Sequence, residues 1–506
     1  MCARLSHPPT ADPVLIIGAG MGGLAAAIDL AARGVPVELF ERAPAPGGKV
    51  RQVRVGDAPL DAGPTVFTMR WVFEELFAAA GLSLPEHLSL KAVETLARHA
   101  WSDGSRLDLF ADRARSAEAI AAFAGPAEGR RYLDFCAEAR GIYETLERPF
   151  IRGHRPSPVG LVQRVGPGGL GDLWRIKPFA TLWGVLSKRF QDPRLRQLFG
   201  RYATYAGSSP FLAPATLMLI AHVEQEGVWL VEGGMHRLAQ VMAEVAGGLG
   251  ARLHFGTPVA EVLVEGGRAR GLRLVDGSLV TGRALIFNGD VAALGAGLLG
   301  DRTRAAVPPA DPDARSLSAV IWNLVAQTEG FPLLRHTVFF SRDYEAEFDA
   351  IFRGSRPPEE PTVYICAQDR DDRGDWPAGA PERLLCLINA PATGDSKPLP
   401  ASEVERCAER TFSLLSRCGL QVRRDPSLSL VTTPTGFAEL FPATGGALYG
   451  QASHGWKASF SRPGSRSAIR GLYLAGGSTH PGAGVPMAAI SGRLAASCVL
   501  ADLGST

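Results

Sequence analysis

A chain of 506 residues, 46% hydrophobic and 21% charged, has the apolar content to bury the cores of two domains, which excludes disordered, fibrous and small disulfide-stapled classes. The 53 basic and 51 acidic side chains leave a net charge of +2, so there is no whole-molecule attraction for nucleic acid and none is expected as a partner. The seven cysteines are odd in number and scattered without a C-x-x-C pair, which fits a reducing cytoplasm better than a disulfide framework or a zinc site.

The N-terminal segment MCARLSHPPTADP is polar and proline-rich and lacks the basic region and apolar core of a secretory leader. Residues 14–17 then read as an apolar strand, Gly18-Ala-Gly20-Met-Gly-Gly23 as a glycine loop, residues 24–33 as an alanine-rich helix stopped by Gly34, and residues 35–40 as a second strand. The three glycines have separate tasks. Gly18 permits the tight turn, Gly20 lets the backbone approach a pyrophosphate, and Gly23 lets helix and strand pack closely, while the helix start offers N–H donors to phosphate. Glu41, 23 residues past Gly18, is placed to accept from ribose hydroxyls, and its charge disfavours the 2′-phosphate of NADP. Taken alone Glu41 is also compatible with a solvated strand end. Arg42 follows it, and Gly47-Gly48-Lys49 and Asp61-Ala-Gly63-Pro64-Thr65 supply two more turns toward the nucleotide face, ordinary turns being the alternative.

From residue 151 to 201 the chain carries ten Lys or Arg, including Arg175, Lys177, Lys188 and Arg189, against Asp172 and Asp192, a local balance of +8. Trp174, Phe179, Trp183 and Phe190 lie among them, a mixture that favours an anionic lipid surface, with a solvated face as the alternative. Residues 202–223 carry no formal charge, but Gly207, Pro210 and Pro214 interrupt them and no membrane-spanning helix is expected. His222 and Glu224 have no third convergent ligand nearby, so they are read as helix surface or core and no metal site is expected.

Residues 236–245 read as a helix, followed by strands at 253–255, 259–264, 271–275 and 284–287, with Gly266-Gly267 and Asp276-Gly277 as turns. The last strand runs into Asn288-Gly-Asp290. Near the C-terminus, Gly471-Leu-Tyr-Leu-Ala-Gly476-Gly477-Ser-Thr-His480-Pro-Gly482-Ala-Gly484-Val485 is a strand entering a glycine loop, and Pro486 opens a helix over residues 486–500. Close-packed glycines at a helix start let backbone donors reach a phosphate or a flavin. His480 is the one candidate general base; orienting the loop through backbone hydrogen bonds is the alternative role.

The order of these motifs resembles the FAD-binding amine oxidase and carotenoid desaturase superfamily over nearly the whole chain, and the C-terminal run, through Ser491, is similar to the signature of bacterial carotenoid desaturases. Within them, Asp61-Ala-Gly-Pro-Thr-Val-Phe-Thr-Met-Arg-Trp-Val-Phe, Gly200-Arg-Tyr-Ala-Thr-Tyr-Ala-Gly-Ser-Ser-Pro210, His222-Val-Glu-Gln-Glu-Gly-Val-Trp and Cys366-Ala-Gln-Asp-Arg resemble the 1-hydroxycarotenoid 3,4-desaturases (methoxyneurosporene dehydrogenases) of purple bacteria, phytoene desaturase being the near relative.

The resemblance implies an α/β fold in which a Rossmann-type FAD-binding domain (residues 10–80, 227–300 and 440–506) is interleaved with an α+β substrate domain that faces the membrane (residues 81–226 and 301–439). It implies FAD held by Gly18, Gly20, Gly23, Glu41, Arg42, Gly48, Lys49, Gly63, Pro64, Val259, Gly476, Gly477, Gly484, Val485 and Pro486, with Val259 lending its backbone to the adenine. The implied substrate is an acyclic carotenoid and the electron acceptor a quinone or oxygen. The implied location is peripheral, on the cytoplasmic face of a bacterial inner (photosynthetic) membrane. A flavin amine oxidase, and a carrier of isoprenoids without turnover, are the rival readings.

Overall fold

The computed structural model describes residues 12–166 and 170–504, so Cys2 and most of the polar N-terminal segment lie outside the described residues. Five parallel strands form the first sheet in the order Leu472–Leu474, Ala284–Phe287, Val14–Ile17, Val37–Phe40, Arg252–His254. Every residue of Val14–Ile17 and Ala284–Phe287 is buried, as expected of central strands covered on both faces. One cover is the helix Met21–Ala31, whose eleven residues are all buried because it is packed between the helices His236–Gly248 and Val485–Gly504. Glycines allow that closeness: a Cβ on Gly492 would lie 2.0 Å from the carbonyl oxygen of Gly22.

The second sheet has eight strands. Gln421–Arg423, Ser318–Glu329, Glu382–Ala390, Val363–Ala367, His336–Phe339, Thr95–Ala100 and Arg106–Phe110 follow in that order, and Ser429–Thr432 also pairs with Ser318–Glu329. All pairings are antiparallel except that of Thr95–Ala100 with His336–Phe339. The period of two sorts the side chains: Val320, Trp322 and Leu324 pack with Leu414 and Leu415 of the helix Ala401–Arg417, while Ala319 and Ile321 face the other way. On that other side Val338 and Phe340 join Tyr132, Phe135, Phe190 and Phe199 of the helices between residues 113 and 226.

Element types in the part of the chain that carries the parallel sheet agree with the sequence reading, and two boundaries move for identifiable reasons. The first helix begins at Met21 rather than residue 24, because Gly22 and Gly23 take helical geometry once Gly20 serves as N-cap. In a three-stranded antiparallel sheet of Val259–Glu265, Arg268–Leu274 and Leu279–Thr281, the middle strand begins earlier than residue 271, at Arg268, since Gly266 and Gly267 both adopt positive φ (+57° and +71°) and form a two-residue hairpin turn. Contrary to the expectation that no helix could span a membrane, Val485–Gly504 is long and apolar enough to do so. Half of it is buried against the first helix and sheet, the pattern of a core helix.

Candidate functional site

The register of the parallel sheet builds the site. Ile17 lies beside both Phe40 and Phe287, and Phe287 lies beside Leu474. The residues that follow, Gly18, Glu41, Asn288 and Ala475, therefore leave the sheet along one edge, at the carboxyl ends of the strands where open α/β sheets bind ligands. A cavity of about 420 Å³ opens there. Gly18, Gly20, Glu41, Arg42, Gly48, Lys49, Pro64, Val259, Gly476, Gly477, Gly484 and Val485, drawn from both ends and the middle of the chain, all reach its wall.

Close backbone approach is what the glycines supply. Gly18 sits at φ +97°, and Gly20 caps the first helix with no side chain bonded to its free N–H groups. A Cβ on Gly20 would be 3.0 Å from Asn288 Nδ2, and one on Gly48 would be 3.2 Å from Gly20 Cα, so only backbone fits between the two turns. Gly23, Gly63 and Pro486 stand behind the wall. A Cβ on Gly23 would meet the Gly18 oxygen at 2.1 Å, and one on Gly63 the Lys49 oxygen at 1.9 Å. Pro486 is buried in the first turn of the C-terminal helix.

Glu41 is tied to the loop it faces: its carboxylate accepts from Ala19 N at 2.7 Å and from Ala43 N at 2.8 Å. Each carboxylate oxygen has a second lone pair for a ligand hydroxyl. Arg42 donates to the Leu440 carbonyl. Lys49 Nζ donates to the Leu448 carbonyl at 2.6 Å and lies 5.2 Å above the Phe441 ring, and burial lowers the pKa of its ammonium against the opposing pull of Asp290. An uncapped helix start, an acid at the end of the next strand and a glycine turn at the far side fit the phosphates, ribose and ring of FAD.

His480 is not among the cavity-lining residues. Its Nε2 lies 2.9 Å from both the Phe150 and the Gly153 carbonyls, so that nitrogen carries the proton and donates it to backbone, and burial holds the pKa at about 4. The geometry is that of a strap between the C-terminal loop and the segment Glu147–Ile151. Among the described residues no group of three or more His, Cys, Asp or Glu is arranged to hold a metal; Glu224 instead accepts from the Tyr202 and Tyr205 hydroxyls.

Three wall or near-wall residues escaped the sequence reading. Asn288 Nδ2 donates to the Gly18 carbonyl at 3.1 Å and sits among Gly20, Gly22 and Gly476, so it gathers the glycine turns from both chain ends. Its position directly after a strand of the parallel sheet was the available signal. Asp290 lines the cavity, and the buried Arg462 donates to the Tyr449, Gly477 and Gln451 carbonyls at 3.0, 2.8 and 2.8 Å. Nothing local in sequence marks Arg462.

Four histidines, His99, His336 and His480 buried and His454 half-buried, set a pH dependence. Burial lowers His480 and His454 to about 4, and burial with nearby cations lowers His99 and His336 to about 3. In the unfolded chain they bind protons near pH 6.5. Between that value and their folded pKa values the unfolded state holds more protons, so stability is full above pH 6.5 and is lost as pH falls, by up to about 1.4 kcal/mol per pH unit for each histidine. Denaturant unfolding at pH 7.5 and pH 5 is expected to show a lower midpoint at pH 5; equal midpoints would contradict the neutral assignments.

The model of a family described as flavin containing amine oxidoreductase matches residues 21–500. A hydroxyneurosporene desaturase of Rubrivivax gelatinosus is 54% identical over 99% of this chain and 96% of its own length. One of Cereibacter sphaeroides is 47% identical over 97% and 98%. More distant is a zeta-carotene-forming phytoene desaturase of Myxococcus xanthus, 31% identical over 95% of this chain and 92% of its own. Among solved structures, putrescine oxidase bound to putrescine shares the fold with a TM-score of 0.59 at 17% identity, covering 97% of this chain and 99% of that one.

Proposed function

The chain belongs to the flavin containing amine oxidoreductase family, and from that premise we propose that it desaturates an acyclic carotenoid, at the 3,4 bond of a 1-hydroxycarotenoid, with FAD as cofactor. The observation that carries the substrate is the near-full-length identity with hydroxyneurosporene desaturases. Bound FAD would supply the electron-pair acceptor for breaking an allylic or polyene-adjacent C–H bond, a step protein side chains do not perform. Gly18, Gly20 and Gly48 then hold phosphate through backbone donors, Glu41 holds ribose, and Asn288 keeps the turns in register. The remaining work is to seat a long apolar chain at near-attack distance, roughly 3 to 3.5 Å, and keep water away. This accounts for a site without a triad or carboxylate pair. In this reading residues 10–80, 227–300 and 440–506 bind FAD, and residues 81–226 and 301–439 bind substrate. The parallel sheet draws its strands from the first set and the eight-stranded sheet from the second.

The test supplies phytoene, neurosporene and 1-hydroxyneurosporene in parallel, with a quinone under argon or with oxygen. The 1-hydroxylated substrate is expected to turn over fastest. Fastest turnover of phytoene would replace the 3,4-desaturase assignment with phytoene desaturation, and turnover of amines alone would sink both.

We infer that the substrate enters from the cytoplasmic face of a bacterial inner (photosynthetic) membrane, and folding changes which residues support this. The basic excess between residues 151 and 201 is partly cancelled by acids, several from outside that stretch. Lys177 and Arg189 pair with Glu138, Arg152 with Glu75 and Glu147, and Arg194 with Asp192. Trp183 and Phe190 turn inward. Beside the exposed Arg175, Lys177 and Lys188, apolar side chains also stay outside: Trp174 is 74% exposed and Phe179 66%, and Phe179 stacks edge-on with Trp456 at 5.6 Å. Val159 and Val162 on the helix Pro158–Val165 are exposed as well, and exposed apolar side chains of this kind mark a membrane contact. Replacing Trp174 and Phe179 together with serine is expected to cut binding to anionic liposomes at least tenfold in a flotation assay, more than raising salt does. Binding that survives the double substitution would remove the patch from the interface.

A further inference from the structure

Between the eight-stranded sheet and the helices covering it lies a polar cluster that the cofactor cavity does not use. On the sheet side, the pairing of Val338 with both His99 and Tyr364, and of His336 with Cys366, places His99, His336 and Tyr364 on one face. On the helix side, Arg201 and Tyr205 belong to the turn Arg201–Ala206. The Tyr364 hydroxyl is 2.6 Å from Thr65 Oγ1 and 2.7 Å from His336 Nδ1. Arg201 Nη1 donates to the Tyr205 hydroxyl at 3.1 Å, and Glu224 lies 4.0 Å from Arg201 Nη2. The two sides meet in one packed cluster, which holds Tyr202 and Tyr205 from the turn and Val338 and Tyr364 from the sheet.

The cluster is unfinished. The Nε–H of Arg201 and the Nε2 atoms of His99 and His336 are buried without a partner, and folded proteins leave few such atoms unmatched. His99 Nδ1 is 3.2 Å from the Leu107 carbonyl and must carry the proton, so its Nε2 is a bare acceptor. Arg201 is a donor only. An unmatched donor and an unmatched acceptor are what one hydroxyl group satisfies. Tyr205 and Tyr364 are only half-buried, so part of each ring stays open to a ligand.

We propose that this cluster, with the unmatched Arg201 Nε–H as donor and the Tyr364 hydroxyl, which can accept one bond more than Thr65 and His336 use, as acceptor, is the subsite that receives the hydroxyl of the carotenoid substrate. The inference rests on the desaturase reading above and adds the determinant of its specificity. Reach supports the location. A hydroxyl on C1 is three bonds from C3 and four from C4, so at roughly 1.5 Å per bond it lies within about 4 to 5 Å of the reacting carbons. Its partners must therefore adjoin the cofactor cavity. Pro64 lines that cavity, Thr65 follows it, and Thr65 is bonded to Tyr364. A plain hydrocarbon in the same place would leave the buried polar atoms unmatched, and sites built around a hydroxyl reject such analogues strongly.

The experiment compares kcat/KM for 1-hydroxyneurosporene and neurosporene in the FAD-loaded wild type, Tyr364→Phe and Arg201→Lys; the lysine keeps a cation beside Glu224 and removes the Nε donor. In both variants the preference for the hydroxylated substrate is expected to fall roughly ten- to hundred-fold, with the hydroxylated substrate losing more than the hydrocarbon. An unchanged preference, or a parallel loss on both substrates, overturns the subsite. A wild type with no preference overturns the 3,4-desaturase reading beneath it, which the variants do not address. Where a variant does not retain FAD, Thr65→Val carries the same comparison with the same outcomes.

Discussion

Glu41→Arg is expected to yield protein without flavin absorbance and with FAD affinity reduced at least a thousandfold in titration of the apoprotein. The carboxylate has two tasks that one substitution removes together. Inside the protein it accepts from Ala19 N and Ala43 N, which fixes the glycine loop against the end of the second strand. Leaving two backbone donors without partners costs about 1 to 3 kcal/mol each. Toward the ligand it offers acceptors for the ribose hydroxyls, and arginine offers only donors. Because Glu41 is 8% exposed, the larger guanidinium must also enter the cavity or displace the loop. Glu41→Gln keeps one acceptor oxygen and is expected to lose far less, about 1 to 3 kcal/mol of FAD affinity. Equal affinity in wild type and Glu41→Arg would place the nucleotide elsewhere.

Gly23→Ala is expected to destabilise the protein by about 3 kcal/mol or more, although alanine is the better helix former by about 1 kcal/mol. The added Cβ would sit 2.1 Å from the Gly18 carbonyl oxygen and 2.9 Å from Asn288 Nδ2. The nearest obstacle is backbone, which cannot rotate aside, so the first helix must shift. Its other side is closed by the C-terminal helix through Gly22 and Gly492. Gly34→Ala is the matched control: nothing lies within 4 Å of its Cβ position, and only the backbone at φ +73° is strained. That costs about 1 to 2 kcal/mol. Chemical denaturation of the two variants separates steric from conformational cost; similar midpoints for both would argue against close packing at Gly23.

Much of the part that carries the parallel sheet was legible in the residues themselves. Its signals are local: an apolar run, a glycine turn and an amphipathic or alanine-rich helix each depend on neighbours a few positions away, so residues 14–41 and 471–486 report their elements with small boundary shifts. The resemblance supplied the pairing of those two distant segments, and the parallel register then brought Gly18, Glu41 and Gly476 to one edge. Local pattern says nothing about which partner a charged or polar side chain finds after folding. Thus the basic excess between residues 151 and 201 was partly neutralised by Glu75, Glu138 and Glu147, and His480 turned to backbone carbonyls instead of the cavity. For the same reason Asn288, Arg462 and the grouping of Arg201, Tyr205, Tyr364 and His336 emerged only in three dimensions. Such bonds, whether they cross four positions, as from Arg201 to Tyr205, or 270, as from Asn288 to Gly18, are decided by how sheets and helices pack, and the tertiary structure alone holds that information.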